Sequence, residues 1–373
     1  MVRWETERAG APVSGEYLMQ IDIPSNWRAL LKHVHVFSLV AATSLTASAA
    51  SAGDKAKFKK FGVSGAVQTY VSGANDTGYV TGTYLDSGNT YHGFLRSPNG
   101  IVTSFDVQGS TGTFSQSIND KGVVAGDFED GNGIYHAFIR AADATFTIFD
   151  PANSTGTRVT GINDRGSVIG SYGDASGPQH GYVRAAKGKI TTFDPAGSTA
   201  TDAEGINNGG TITGAYITND GSFVAHGFVR AANGKIVSFD APGSFNSTGG
   251  FGINDSGTIV GTYSDGEMTH GFLRTSNGII TEFDPTGSAG TYPASINNKG
   301  VLAGSYTPDG MYFAYEGFTR ASDGIIRSFA PPGRWISPDI NIVKINNKDT
   351  VAGWYNRKSG SSKSDVLGFT LSK

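Results

Sequence analysis

Five histidines of this 373-residue chain recur inside one phrase: His92, His136, His180, His226 and His270 each open a variant of "HGFLR". The sixth copy has Glu316 in that place and the seventh has Leu367. A parallel series, Asp106, Asp150, Asp194, Asp240 and Asp284, closes an "FD" phrase in each of five units. Imidazole and carboxylate are the groups of acid–base catalysis and of metal ligation. Both chemistries need an asymmetric constellation at one place, and a zinc ion needs its imidazole nitrogens within about 2.1 Å. Equivalent residues spread through a repeat lie too far apart for that. The pattern predicts structural histidines, each opening a strand and bonded to backbone or to an Asp of a neighbouring unit. It predicts aspartates that accept N–H bonds in the "PxGS" turns after them. The Arg that ends each phrase, from Arg96 to Arg320, is expected to be structural too. The Phe before each Asp position is expected to pack between units.

No nucleophile motif, phosphate loop or EF-hand loop interrupts the repeat. The stretches "EDGNG" (129–133) and "TNDGS" (218–222) are turn-like and lack the ligand set of a calcium site. No cysteine is present, which excludes disulfides, thiolate zinc sites and Cys nucleophiles. A net charge of −3 without a basic run lacks the footprint of a nucleic-acid binder. The expectation is therefore a protein without metal or cofactor and without assigned catalytic residues, more a binder than an enzyme.

The elements that carry these residues are strands. The Asn of the "IN(D/N)" phrase falls at 75 (in "AND"), 119, 163, 207, 254, 297 and 346, a period near 45 residues. Each unit holds four runs rich in Ile, Val, Thr, Phe and Tyr, bounded by Gly, Asn, Asp or Ser. We call them a, b, c and d. "INDSG" reads as the a–b turn, Asn-Gly as the tight c–d turn, and Pro follows strand d, where its missing N–H does no damage. Seven four-stranded units of this length predict an all-β, seven-bladed β-propeller. The last unit stops after strand c, and "FKKFGVSG" (58–65) matches the strand-d phrase "IVSFDAPG" (236–243). The N-terminal strand is thus expected to complete the C-terminal blade and close the ring.

The phrases "HGF/HAF", "IN(D/N)xG", "(I/V)xGxY" and "FDPxGS" together resemble the HAF-repeat proteins, an exported bacterial propeller-like family. The resemblance covers about residues 57–373 and implies export and a propeller. It carries no activity or catalytic residues to these positions, and the sixth and seventh units depart from its pattern.

Where repetition marks scaffold, function is expected where repetition fails, on loops held by rigid blades. The d–a and b–c connections share one face of the disc. On it, "TPDGMYFAYE" (307–316), "APPGRWISPDIN" (330–341) and "NRKSGSSKSDV" (356–366) are long or irregular. They and their flanks gather Tyr312, Tyr315, Glu316, Arg334, Trp335 and Trp354, aromatic and Arg material suited to binding hot spots. The expected function is a secreted recognition module that binds a glycan or protein ligand there, as a monomer. The alternative is a propeller hydrolase or lyase at the channel mouth, with Glu204, Arg158 and Tyr292 as candidates, unpaired on sequence alone.

Residues 1–52 lie outside the repeat. Arg28 and Lys32 precede the apolar "VFSLVAATSLTA" (36–47), and "SAASAG" supplies small residues for cleavage after Ala52, the layout of a secretory signal peptide. The apolar run is too short for a membrane span, and Met19 would make a more ordinary start. Residues 53–373 are expected to form one domain, either extracellular or periplasmic.

Overall fold

The computed structural model describes residues 57–218, 224–309, 314–332, 339–358 and 364–372. The leader, and with it the expected signal peptide, falls outside these residues. Residues 53–373 form one compact unit.

Each unit folds where its residues favour extended backbone. In the fifth, Ser247–Ile253, Ile259–Ser264, Thr269–Arg274 and Ile280–Phe283 form strands a to d, paired antiparallel in chain order. The Gly of the strand-b phrase lets a and b come together. A Cβ on Gly261 would collide with the carbonyl oxygen of Gly249 on strand a, and the equivalent glycines of all seven units are placed alike. Seven such blades make a seven-bladed propeller of 28 strands. The last blade takes a, b and c from Asp339–Ile345, Val351–Lys358 and Ser364–Ser372. Its outer strand is Lys57–Phe61, antiparallel to strand c from Lys57↔Ser372 to Phe61↔Gly368. The expected ring closure is present.

The core is a row of seams. Strand c buries one ring per blade, Phe94, Phe138, Tyr182, Phe228, Phe272, Phe318 and Phe369, each 0% exposed. The strand-d Phe of the preceding blade meets this ring edge-on at 5.9–6.3 Å in six seams, Phe61 against Phe94 among them. The Arg ending strand c lays its guanidinium over that same strand-d Phe, 4.6–5.2 Å from the ring centre, six times from Arg96 to Arg320. Blade seven has Leu371 there, which packs with Phe329 in an all-apolar cluster.

The histidines are structural, with a different partner from the one expected. Each Nδ1 bonds the Asp at the end of strand d in its own blade, not a neighbour's, at 2.7–2.9 Å. The "FD" aspartates are thus taken up by imidazole instead of by the turn that follows. The antiparallel pairing of strands c and d brings these side chains together within one blade. In four blades Nε2 also faces an Asp of the b–c loop at 3.2–3.7 Å. A strand-b aromatic lies against each imidazole at 5.0–5.4 Å. Where the His is lost, its Asp is lost too: blade six has Glu316 and Ala330, blade seven Leu367 and Gly62. Glu316 instead accepts a hydrogen bond from Tyr306 at 2.6 Å.

Candidate functional site

Around the axis the inner strands end in two closed belts. Asn75 donates from Nδ2 to the Asn119 carbonyl, Asn119 to Asn163, and so on through Asn207, Asn254, Asn297 and Asn346 back to Asn75, at 2.9–3.1 Å. Each Asn Oδ1 also caps its own a–b turn by accepting the N–H four residues on. The next residue builds the second belt: backbone N–H to side-chain oxygen of the following blade, through Asp76, Asp120, Asp164, Asn208, Asp255, Asn298 and Asn347, at 2.7–2.9 Å. Asp76, Asp120 and Asp164 are consecutive carboxylates with no amide between them. Burial first, then the two neighbouring charges, push the Asp120 carboxyl up.

Lys344 reaches into this end of the channel. It stands two residues before the belt Asn, where the other blades have Gly or Ser. It lies deep in the molecule yet touches solvent, because the space it faces is the channel. Desolvation lowers its pKa, against the pull of Asp164, Asp76, Asp120 and Asp255. A cavity of about 100 Å³ is left between the belts and this side chain. Size and polarity make the a–b end of the channel a narrow, hydrogen-bonded floor.

Above the floor, every inner strand carries a register break at the same place. A bulge leaves one residue outside the ladder and re-aims its side chain. The residues so released are Ser72, Gln116, Thr160, Glu204, Phe251, Ala294 and Val343, all different. A second series, varied from blade to blade, lies two residues earlier, and four of its members meet a strand-b residue of the preceding blade. Tyr70 stands edge-on to Trp354 at 5.2 Å. Arg158 bonds the wholly buried Asp127 at 3.1 Å and covers the Tyr135 ring. Asp202 is hydrogen-bonded by Ser171 and Gln179. Gly249 faces Ala215, the two offering nothing beyond a methyl group.

These contacts locate several of the candidate residues. Arg158 is locked in an ion pair rather than unpaired. Trp354 is a seam residue, half-buried against Tyr70. Tyr292 is 38% exposed on the channel wall and meets the half-buried Tyr315 edge-on at 5.8 Å. Tyr312, Arg334 and Trp335 lie outside the described residues. Glu204 gains the carboxyl neighbour that the sequence alone did not assign it. Burial, and then the charge of Asp202, raise its pKa to about 8. Asp202 is itself raised by burial, against its hydrogen bonds. Lys344 and Phe251 were missed, although each breaks a column of the repeat: Lys among Gly and Ser, and Phe as the one aromatic of its column.

The fold is shared with solved structures of low identity. A virginiamycin B lyase from Staphylococcus aureus, a catalytically inactive variant with quinupristin, superposes with a TM-score of 0.55 at 16% identity, over 86% of this chain and 100% of that one. The β-propeller domain of the Trilobed protease from Pyrococcus furiosus matches at 0.56 and 11%, over 81% and 95%. That domain is described as having an open velcro topology, whereas here Lys57–Phe61 pairs with the last strand. A puromycin hydrolase variant matches at 0.56 and 11%, over 81% of this chain and 51% of its own. No protein-family profile and no curated relative matches the sequence.

Proposed function

We propose that this propeller is a glycan-recognition module, exported as its resemblance to HAF-repeat proteins implies, that holds its ligand at the b–c/d–a mouth of the axial channel. One observation carries this. Repeated residues make the belts, the His–Asp clamps of five blades and the Arg–Phe seams of six, while residues that vary from blade to blade line the inner strands above a polar floor. A scaffold built by symmetry needs no such asymmetry at its centre, and a binding site does. Aromatic side chains beside carboxyl and amide groups suit the apolar faces and hydroxyl edges of sugars. The connections carrying Tyr312, Arg334 and Trp335, outside the described residues, are assigned to the same face by their place in the repeat alone and are proposed as part of the site.

A lyase or hydrolase is the second reading, favoured by one feature. Asp202 and Glu204 are two carboxyls whose environments differ, the arrangement that assigns an acid and a base. One experiment separates the two. Purified residues 53–373 are screened against soluble polysaccharides for retention, and each hit is followed for chain cleavage. Retention without cleavage is expected. Cleavage abolished by Glu204→Gln would establish the enzyme, and no retention at all would overturn the glycan reading.

A further inference from the structure

We infer that the channel wall at the seam between blades four and five is a pyranose subsite, in which Phe251 stacks on the sugar ring and the Glu204 carboxyl binds a pair of adjacent hydroxyls. It rests on the glycan reading above and names the place and the sugar edge recognised.

The seam carries smaller side chains than the seams described above. At this level other seams are filled by Trp354 with Tyr70, or by Asp127 with Arg158. Here the pair is Ala215 and Gly249, and even a Cβ on Gly249 would stand only 3.5 Å from the Ala215 methyl and 3.7 Å from the Phe251 ring. The Phe251 ring lies close to this bare backbone, and Phe251 is 36% exposed although it belongs to an innermost strand. An aromatic face open to the channel is free to stack on a ligand.

The polar half comes from the adjacent blade. Gly205 approaches the Phe251 carbonyl so closely that any Cβ there would clash, which brings Glu204 beside Phe251 across the seam. Glu204 is released by its bulge and lies within the protein, meeting solvent only through the channel. No hydrogen bond to its carboxyl is found among the described residues. Asp202, two residues before it on the same strand, is held by Ser171 and Gln179.

A protonated carboxyl donates one hydrogen bond, and a carboxylate only accepts. With Glu204 protonated at neutral pH, its O–H can give to one hydroxyl and its carbonyl oxygen can take from the next, while Asp202 stays bonded to blade three. Two hydroxyls on adjacent ring carbons offer that complement, and the C–H face of the pyranose supplies the apolar partner for Phe251. An organic cation would also be drawn to a carboxyl beside an aromatic ring, but it would be drawn more strongly as Glu204 ionises, so the pH dependence tells the two apart.

The test is an NMR titration of residues 53–373 with methyl pyranosides of glucose, galactose, mannose and xylose, and with a 2-deoxy glucoside. A lone sugar is expected to bind with a Kd on the order of millimolar. Affinity should fall as pH rises from 6 to 9, and Glu204→Gln should remove that fall. Phe251→Ala should weaken binding about tenfold or more, with Phe251→Leu as the substitute if the Ala variant does not fold. Loss of one ring hydroxyl from the preferred sugar should weaken binding comparably. Sugar binding that ignores both Glu204→Gln and Phe251→Ala would overturn the subsite. So would polysaccharide retention without binding of any methyl pyranoside, leaving glycan recognition intact elsewhere. Failure of both polysaccharides and pyranosides would overturn the glycan reading itself.

Discussion

The repeated histidine acts as a clamp between strand d and strand c, and its loss in blades six and seven together with its Asp is the signature of a pair. His180→Ala should lower stability by about 1 kcal/mol, the value of one hydrogen bond, and the same substitution at His92, His136, His226 or His270 should do alike in a chemical melt. A single one of the five that abolished binding would contradict the structural assignment. Desolvation works against protonation of His92 and His270, but Asp106 and Asp86, and Asp284 and Asp265, outweigh it and raise both pKa values. Their contribution is full below pH 6.5 and is lost as pH rises through the raised values. Glu204 acts in the same direction. It holds its proton in the folded chain up to about pH 8 and gives it up near 4.5 when unfolded, so stability falls as pH rises across that interval. Glu204→Gln should flatten this part of the melting-temperature profile, raising the variant relative to the parent at pH 9 but not at pH 4. An unchanged profile would mean that Glu204 ionises normally.

At the scale of the element, most of the fold was legible because each turn declares itself locally. Asn and Gly at fixed offsets marked the a–b and c–d turns, and alternating apolar residues marked the strands between them. The c–d turn needs one residue at positive φ, supplied by Gly100, Gly188, Gly234, Gly278 and Gly324. Blade two departs: Ala144 takes φ 73° there. Ala144→Gly should therefore stabilise the protein by about 1 kcal/mol, the cost of a Cβ in that conformation, measurable as a shift in denaturant midpoint with unchanged slope. The partner of each His was not legible, since the choice between its own blade's Asp and a neighbour's depends on strand spacing. The bulges were equally hidden. Nothing in "TDAEGIN" says which residue leaves the ladder, and so nothing said that Glu204 and Asp202 would face one channel. Lys344 was visible only as a broken column of the repeat.

For the whole molecule, closure depends on five residues, Lys57–Phe61, and on what they cover. Phe58 stacks on Phe369 at 4.8 Å, and Phe61 meets Phe94 of blade one. Deleting residues 53–65 should uncover the edge of strand c and lower the melting temperature with a gain in aggregation. A truncated chain that melts like the parent would show that the ring holds without this strand. The belts at the axis impose a further condition. Asn346 returns to Asn75 at 2.9 Å, no longer than any other step, so the circuit closes without a gap. Every amide points the same way round, so the belt has a handedness and neither a first nor a last member. Such a circuit works as a counter. A chain shortened or lengthened by one unit could still fold each blade, but the step from amide to carbonyl would have to change at every position at once. The number of blades is therefore checked at the centre of the disc as well as at the seam where the chain ends meet.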